Sequence, residues 1–130
     1  MERQRIRRTR VGIVRAVLGE LRENASTARQ ALHIGGRVTE YSADTWRAAN
    51  FDLAQFASDP VYRKLLHIYS TLPGIRALSG EPEKGNQIPP VARKTLEQWL
   101  GQIEEAMNAL LELPEAAGFR EEWRKLPSLD

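Results

Sequence analysis

The sequence predicts an all-α protein: a helical bundle of four main helices, with a long N-terminal helix and a short C-terminal one. Three observations lead there. Apolar residues recur at steps of three and four over long segments, the period of one helix face. Breakers separate those segments at Gly35-Gly36, Ser58-Asp59-Pro60, the stretch 80–89 and Leu113-Pro114. Alternating β-branched residues occur only around Val38-Thr39, too short a run to pair as a strand.

The first helix is expected over residues 2–33. Val14, Val17, Leu21, Ala25, Ala28 and Leu32 form its apolar stripe, and no proline interrupts it. Gly12 and Gly19 each weaken it by about 1 kcal/mol relative to alanine. Thirty-two residues at about 1.5 Å each span roughly 48 Å, longer than any later helix. Its N-terminal part is therefore expected to project beyond whatever packs on it. Gly35-Gly36 supplies the C-cap.

After a short connector, Ser42 or Asp44 is expected to cap a second helix, since either side chain can accept from a free N–H of the first turn. Trp46, Ala49, Leu53 and Phe56 make its inner face. Asp59 fits the next N-cap and Pro60 the first helical position, where a missing N–H costs nothing. The third helix then buries Val61, Leu65, Ile68, Tyr69 and Leu72. Pro73-Gly74 is expected to break or kink it, because proline cannot donate to the Tyr69 carbonyl. Ile75 and Leu78 keep the same phase beyond the break. Pro90 opens the fourth helix, with the stripe Leu96, Trp99, Leu100, Ile103, Met107, Leu110 and Leu111. A short final helix over 114–125 is anchored by Phe119 and Trp123. The relative direction of the two long helices, the first and the fourth, does not follow from the pattern.

At 130 residues the chain reads as one helical domain, 1–130, long enough to bury a real core. Its 42% hydrophobic and 28% charged content is ordinary for a globular chain. It has no cysteine, which excludes disulfide and thiolate chemistry. It has no apolar run of membrane-spanning length, and no apolar segment follows the basic N-terminus as in a secretory signal.

The net charge of +2 is unevenly spread. Residues 1–15 hold six arginines and one acid, +5; residues 16–130 hold 13 Lys/Arg and 16 Asp/Glu, −3. Residues 1–12 thus form a basic arm on a mildly acidic body. Arg3, Arg5, Arg7, Arg8 and Arg10 are the candidate anion-binding residues.

Catalytic and metal signals are thin. His33 and His67 have no second histidine or carboxylate at a neighbouring helical position, so no metal site is expected. Arg29-Gln30-Ala31-Leu32-His33 and Arg63-Lys64-Leu65-Leu66-His67 place three residues between Arg and His. The Arg-His ribonuclease motif of helical HEPN domains has more, so the match is rejected. Glu104-Glu105 and Glu121-Glu122 are adjacent and diverge by about 100° on a helix, which is no catalytic dyad. No phosphate loop or hydrolase motif is present. No cofactor and no catalytic residue is expected.

Two polar residues interrupt the first helix's seam. Glu20 and Asn24 lie one turn apart beside Leu21 and Ala25. A buried amide there must be paired, and the connector ending at Ser42 is the expected partner. The role is structural rather than a ligand site. Tyr41, Trp46, Tyr62 and Tyr69 read as core aromatics with a polar handle.

The basic arm, Glu20-Leu21-Arg22-Glu23-Asn24, Ser42-Ala43-Asp44-Thr45-Trp46, and Pro60-Val61-Tyr62 with Tyr69 together resemble a diffuse group of bacterial, membrane-linked helical proteins of unknown function. In that group an Arg-rich juxtamembrane stretch follows a transmembrane helix and leads into a helical cytosolic domain. The resemblance covers about residues 3–80 and implies no enzyme. This chain lacks the membrane helix. Either the arm acts without it, or the chain is the soluble part of a longer protein.

Two function classes follow. The first is a non-catalytic interaction module, cytoplasmic, at the inner face of a membrane, with its arm on anionic headgroups or an acidic partner. The second is a small nucleic-acid-binding protein whose arm grips phosphates. Arginine suits either, through bidentate phosphate contacts. The arm lacks aromatics for base stacking and has little beyond Ile6 to insert into lipid. The bland alternative is a solvated charged terminus with no partner. A second copy of the chain is a further candidate partner.

Overall fold

The computed structural model describes residues 2–34, 40–80 and 88–127, and the side chains of all of these except 2–8, 34, 79 and 80. Helix α1 is Glu2–Ile34, α2 Asp44–Ala54, α3 Asp59–Gly80, α4 Pro90–Leu111 and α5 Arg120–Arg124, with one 3-10 turn at Pro114–Ala116. The protein is an all-α bundle, without strands among the described residues.

The long helices form a ring in chain order. α1 packs on α2 and α4, and α3 packs on the same two. Side-chain contacts fix the directions. Near the start of α4, Arg93 donates to the Leu32 carbonyl at the end of α1 at 3.0 Å. Beyond its far end, Phe119 lies under the Arg15 guanidinium at 5.0 Å. α4 therefore runs antiparallel to α1. The start of α2 meets α1 at Glu20 and its end meets Arg10, so α2 is antiparallel as well. Lys64 beside Glu105 and Trp99 beside Ile68 set α3 against α4 in the same sense. The result is an up-down-up-down bundle, the arrangement that short connections favour.

The core follows the apolar stripes. Val14, Val17, Leu21, Ala25 and Ala28 are essentially inaccessible, as are Leu18 and Ala31 flanking them, while Leu32 is half-buried. α1 thus buries a wider band than one stripe because α2 and α4 cover it from two sides. On α4, Leu96, Trp99, Ile103, Leu110 and Leu111 are buried, and Leu100 and Met107 half-buried. α2 is half the length of α3. Beside it the connector continues the wall, with Tyr41 edge-on to Trp99 at 5.4 Å and Arg76 donating to the Tyr41 carbonyl.

Three local expectations are corrected. The first helical bond of α3 runs from the Tyr62 N–H to the Ser58 carbonyl, so Ser58 and not Asp59 stands at the N-cap. Pro73 does not end α3, which continues to Gly80. Leu72 and Ile75 on either side of it are buried in one phase, and that burial outweighs one lost backbone bond. The final segment is not one helix. A 3-10 turn and α5 are joined through Ala117 and Gly118, and this bend turns Phe119 inward to 5% exposure. Gly35-Gly36 and most of the 80–89 loop lie outside the described residues.

Candidate functional site

The principal polar feature of the interior is centred on Glu20, which is 5% exposed. Four donors converge on its carboxylate. Oε2 accepts from the Thr45 N–H at 2.8 Å and from the Ser42 hydroxyl at 2.9 Å. Oε1 accepts from the Trp46 N–H at 3.1 Å and from the Tyr69 hydroxyl at 2.7 Å. Tyr69 reaches it from α3, diagonally across the ring.

This arrangement is a helix cap delivered by another helix. The first N–H groups of a helix have no partner inside it. In α2 the Asp44 N–H uses the Ser42 hydroxyl at 3.3 Å, Thr45 and Trp46 use Glu20, and Arg47 makes the first regular bond, to Ala43. A carboxylate at that position also meets the positive end of the helix dipole. Of the two expected caps, Ser42 does accept from the first-turn N–H of Asp44, while Asp44 caps nothing and most of the cap comes from Glu20. The N-cap residue is Ala43, which has no capping side chain. Asp44 is exposed as the first helical residue, 3.6 Å from Arg47. Such an exposed pair contributes little.

Asn24, 1% exposed, lies one turn further along α1. Its Nδ2 donates to the Ser42 carbonyl at 2.8 Å and its Oδ1 accepts from the Ser42 N–H at 2.9 Å. The amide thus mimics a paired strand and holds one residue of the connector by both backbone groups. Above it, Trp46 stacks on Tyr69 at 4.9 Å and 2° between planes. Burial raises the Tyr69 hydroxyl well above the ordinary tyrosine range, reinforced by its bond to Glu20 and by that carboxylate's charge.

The cluster's hydrogen-bonding capacity is consumed internally. No buried side-chain N or O among the described residues lacks a partner. A notch of about 260 Å³ touches Trp46 and Tyr69 from outside, but neither Glu20 nor Asn24 lines it. The arrangement fixes α2 and the connector against α1.

The arm is a separate feature. α1 continues unbroken back to Glu2, so the backbones of Arg3, Arg5, Arg7 and Arg8 belong to one helix, and their side chains lie outside the described residues. The Arg10 guanidinium sits 5.3 Å over the Phe56 ring at the end of α2. His33 and His67 are both exposed, and no group of metal-ligating side chains occurs among the described residues.

One pattern escaped the sequence reading. Arg8, Arg15, Arg22 and Arg29 recur every seven residues, a spacing that drifts only about 20° per repeat around a helix. The last three hold the C-terminal segment and α4. Arg15 lies over Phe119, Arg22 donates to the Pro127 carbonyl, and Arg29 pairs with Glu104 at 3.1 Å. The spacing was visible in the sequence, but what it faced was not.

No described helix is long and apolar enough to cross a membrane. No family model, curated protein or solved structure matches the chain.

Proposed function

We propose that this chain is a non-catalytic helical interaction module whose arginine-rich arm binds an anionic membrane face, at the cytoplasmic side. The observation that carries the reading is the charge division along α1. The +5 of residues 1–15 sits almost entirely before Val14, the first buried residue among the described side chains of that helix. These charges ride on a continuous helix, with Arg3, Arg7 and Arg10 at steps of four and three. The interior polar groups are committed to one another, which favours recognition at the surface over chemistry inside. Phe51 adds an apolar element. It is 74% exposed on α2, five residues before Phe56, the ring beside Arg10.

Five arginines at about 1 kcal/mol each near an anionic surface provide on the order of 5 kcal/mol, enough for reversible binding. Cosedimentation with vesicles tests the reading. Binding is expected with anionic phospholipid, absent with zwitterionic lipid alone, and weakened by salt. Replacing Arg3, Arg5, Arg7 and Arg8 by Gln should abolish it, and Phe51→Ser should weaken it. Duplex DNA is the comparison. DNA binding that exceeds vesicle binding and ignores Phe51→Ser would replace this reading with the nucleic-acid one. Vesicle binding undiminished in the four-arginine variant would refute it.

A further inference from the structure

We propose that the groove between α1, α4 and the C-terminal segment binds a small anionic amphiphile, an acyl chain with a single negatively charged head. The groove holds about 410 Å³, within the range of small-ligand sites. It is independent of the basic arm.

The charge at the groove is unbalanced at one point. Arg29 is answered by Glu104, and Arg124 by Glu112 and Glu121. Arg22 also lines the groove. Among the described residues its guanidinium donates only to the neutral Pro127 carbonyl, with no carboxylate partner. A guanidinium has five N–H donors, so that one bond leaves most of its capacity open to an anion. The open donors of Arg22 suit a negatively charged head on the ligand.

Beside the polar lining of Arg29, Glu104, Asn108 and Arg124, the groove has an apolar side that suits an apolar body. Met107 on α4, Trp123 on α5 and Leu126 beyond it line it. Met107 and Trp123 are half-buried, and Leu126 is 45% exposed, one of the few large apolar side chains left to solvent. Methionine and tryptophan adapt to an unbranched chain through a flexible thioether and a flat ring face. The combination of one open guanidinium at the α1 wall and an apolar floor matches a head-and-tail ligand. It does not match a polar anion such as free phosphate, which would leave the floor unused.

Isothermal titration with decanoate, decanol and decylamine below micelle formation tests the proposal, with the Trp123 indole N–H followed by NMR. Decanoate is expected to bind at one site and to shift that resonance, with decanol and decylamine at least about tenfold weaker. Shortening decanoate to octanoate should weaken binding about tenfold, as two methylenes leave the groove. Arg22→Gln should cost about tenfold or more, with partial recovery in Arg22→Lys. Leu126→Asp keeps Arg22 and its contact with the C-terminal segment, replaces only a surface side chain, and should also abolish binding. Equal affinity for all three amphiphiles, or decanoate affinity unchanged in Leu126→Asp, would overturn the proposal.

Discussion

Replacing Glu20 by Gln changes little in shape and much in hydrogen bonding. Each carboxylate oxygen accepts two bonds, one from a side-chain hydroxyl and one from a backbone N–H of α2. A glutamine amide keeps one oxygen and turns the other into an NH2 donor. With the NH2 toward Ser42 and Thr45, the Ser42 hydroxyl can rotate to accept, but the Thr45 N–H cannot. With the NH2 toward Tyr69 and Trp46, the Tyr69 hydroxyl can adapt, but the Trp46 N–H cannot. Either orientation strands one helix N–H against another donor, at about 1–3 kcal/mol. Loss of the charge opposite the helix dipole adds about 0.5–2 kcal/mol. Glu20→Gln should therefore cost about 2–4 kcal/mol. Glu20→Leu should cost more, because it also strands the buried Tyr69 hydroxyl. Urea unfolding followed by far-UV circular dichroism measures both, against a total stability of about 5–15 kcal/mol for a domain. A Glu20→Gln protein within about 0.5 kcal/mol of the parent, the range of ordinary surface substitutions, would refute the capping argument.

Two further outcomes follow from the same cluster. Asn24→Leu should cost about 1–3 kcal/mol by leaving the Ser42 N–H and carbonyl without their partner, and should leave vesicle binding by the arm unchanged; normal stability with lost binding would instead place Asn24 on a functional surface. Tyr69 has its folded pKa raised above the unfolded value of about 10, so above that pH the unfolded chain gives up a proton that the folded chain keeps. Its stabilising contribution is fully present below pH about 10 and falls by up to about 1.4 kcal/mol per pH unit above it. Urea titrations at alkaline pH should show a steeper decline for the parent than for Tyr69→Phe, and parallel declines would contradict the assigned environment of the hydroxyl.

The sequence alone determined the helices. The three-and-four spacing of Val14 to Ala28 and of Leu96 to Leu110 is set by helix geometry, and burial follows that spacing closely. The breakers at Ser58-Asp59-Pro60, Pro90 and Leu113-Pro114 act within a few residues, so their effects were legible to within a residue or two. Pro73 does not break α3 because its cost is local, while the burial of Leu72 and Ile75 that holds the helix in phase comes from packed neighbours. Asn24 was legible as a polar residue in need of a partner, since an unpaired buried amide is costly wherever it lies. The connector ending at Ser42 was its expected partner and Ser42 is the observed one, whereas most of the cap of α2 belongs to the tertiary structure. Glu20 is 25 residues from Thr45 and 49 from Tyr69, separations at which no local signature exists. The arginines at every seventh residue of α1 show the same division. Their alignment is a property of the helix, but that Arg15 faces a ring, Arg22 a carbonyl and Arg29 a carboxylate was decided only when α4 and the C-terminal segment folded against them.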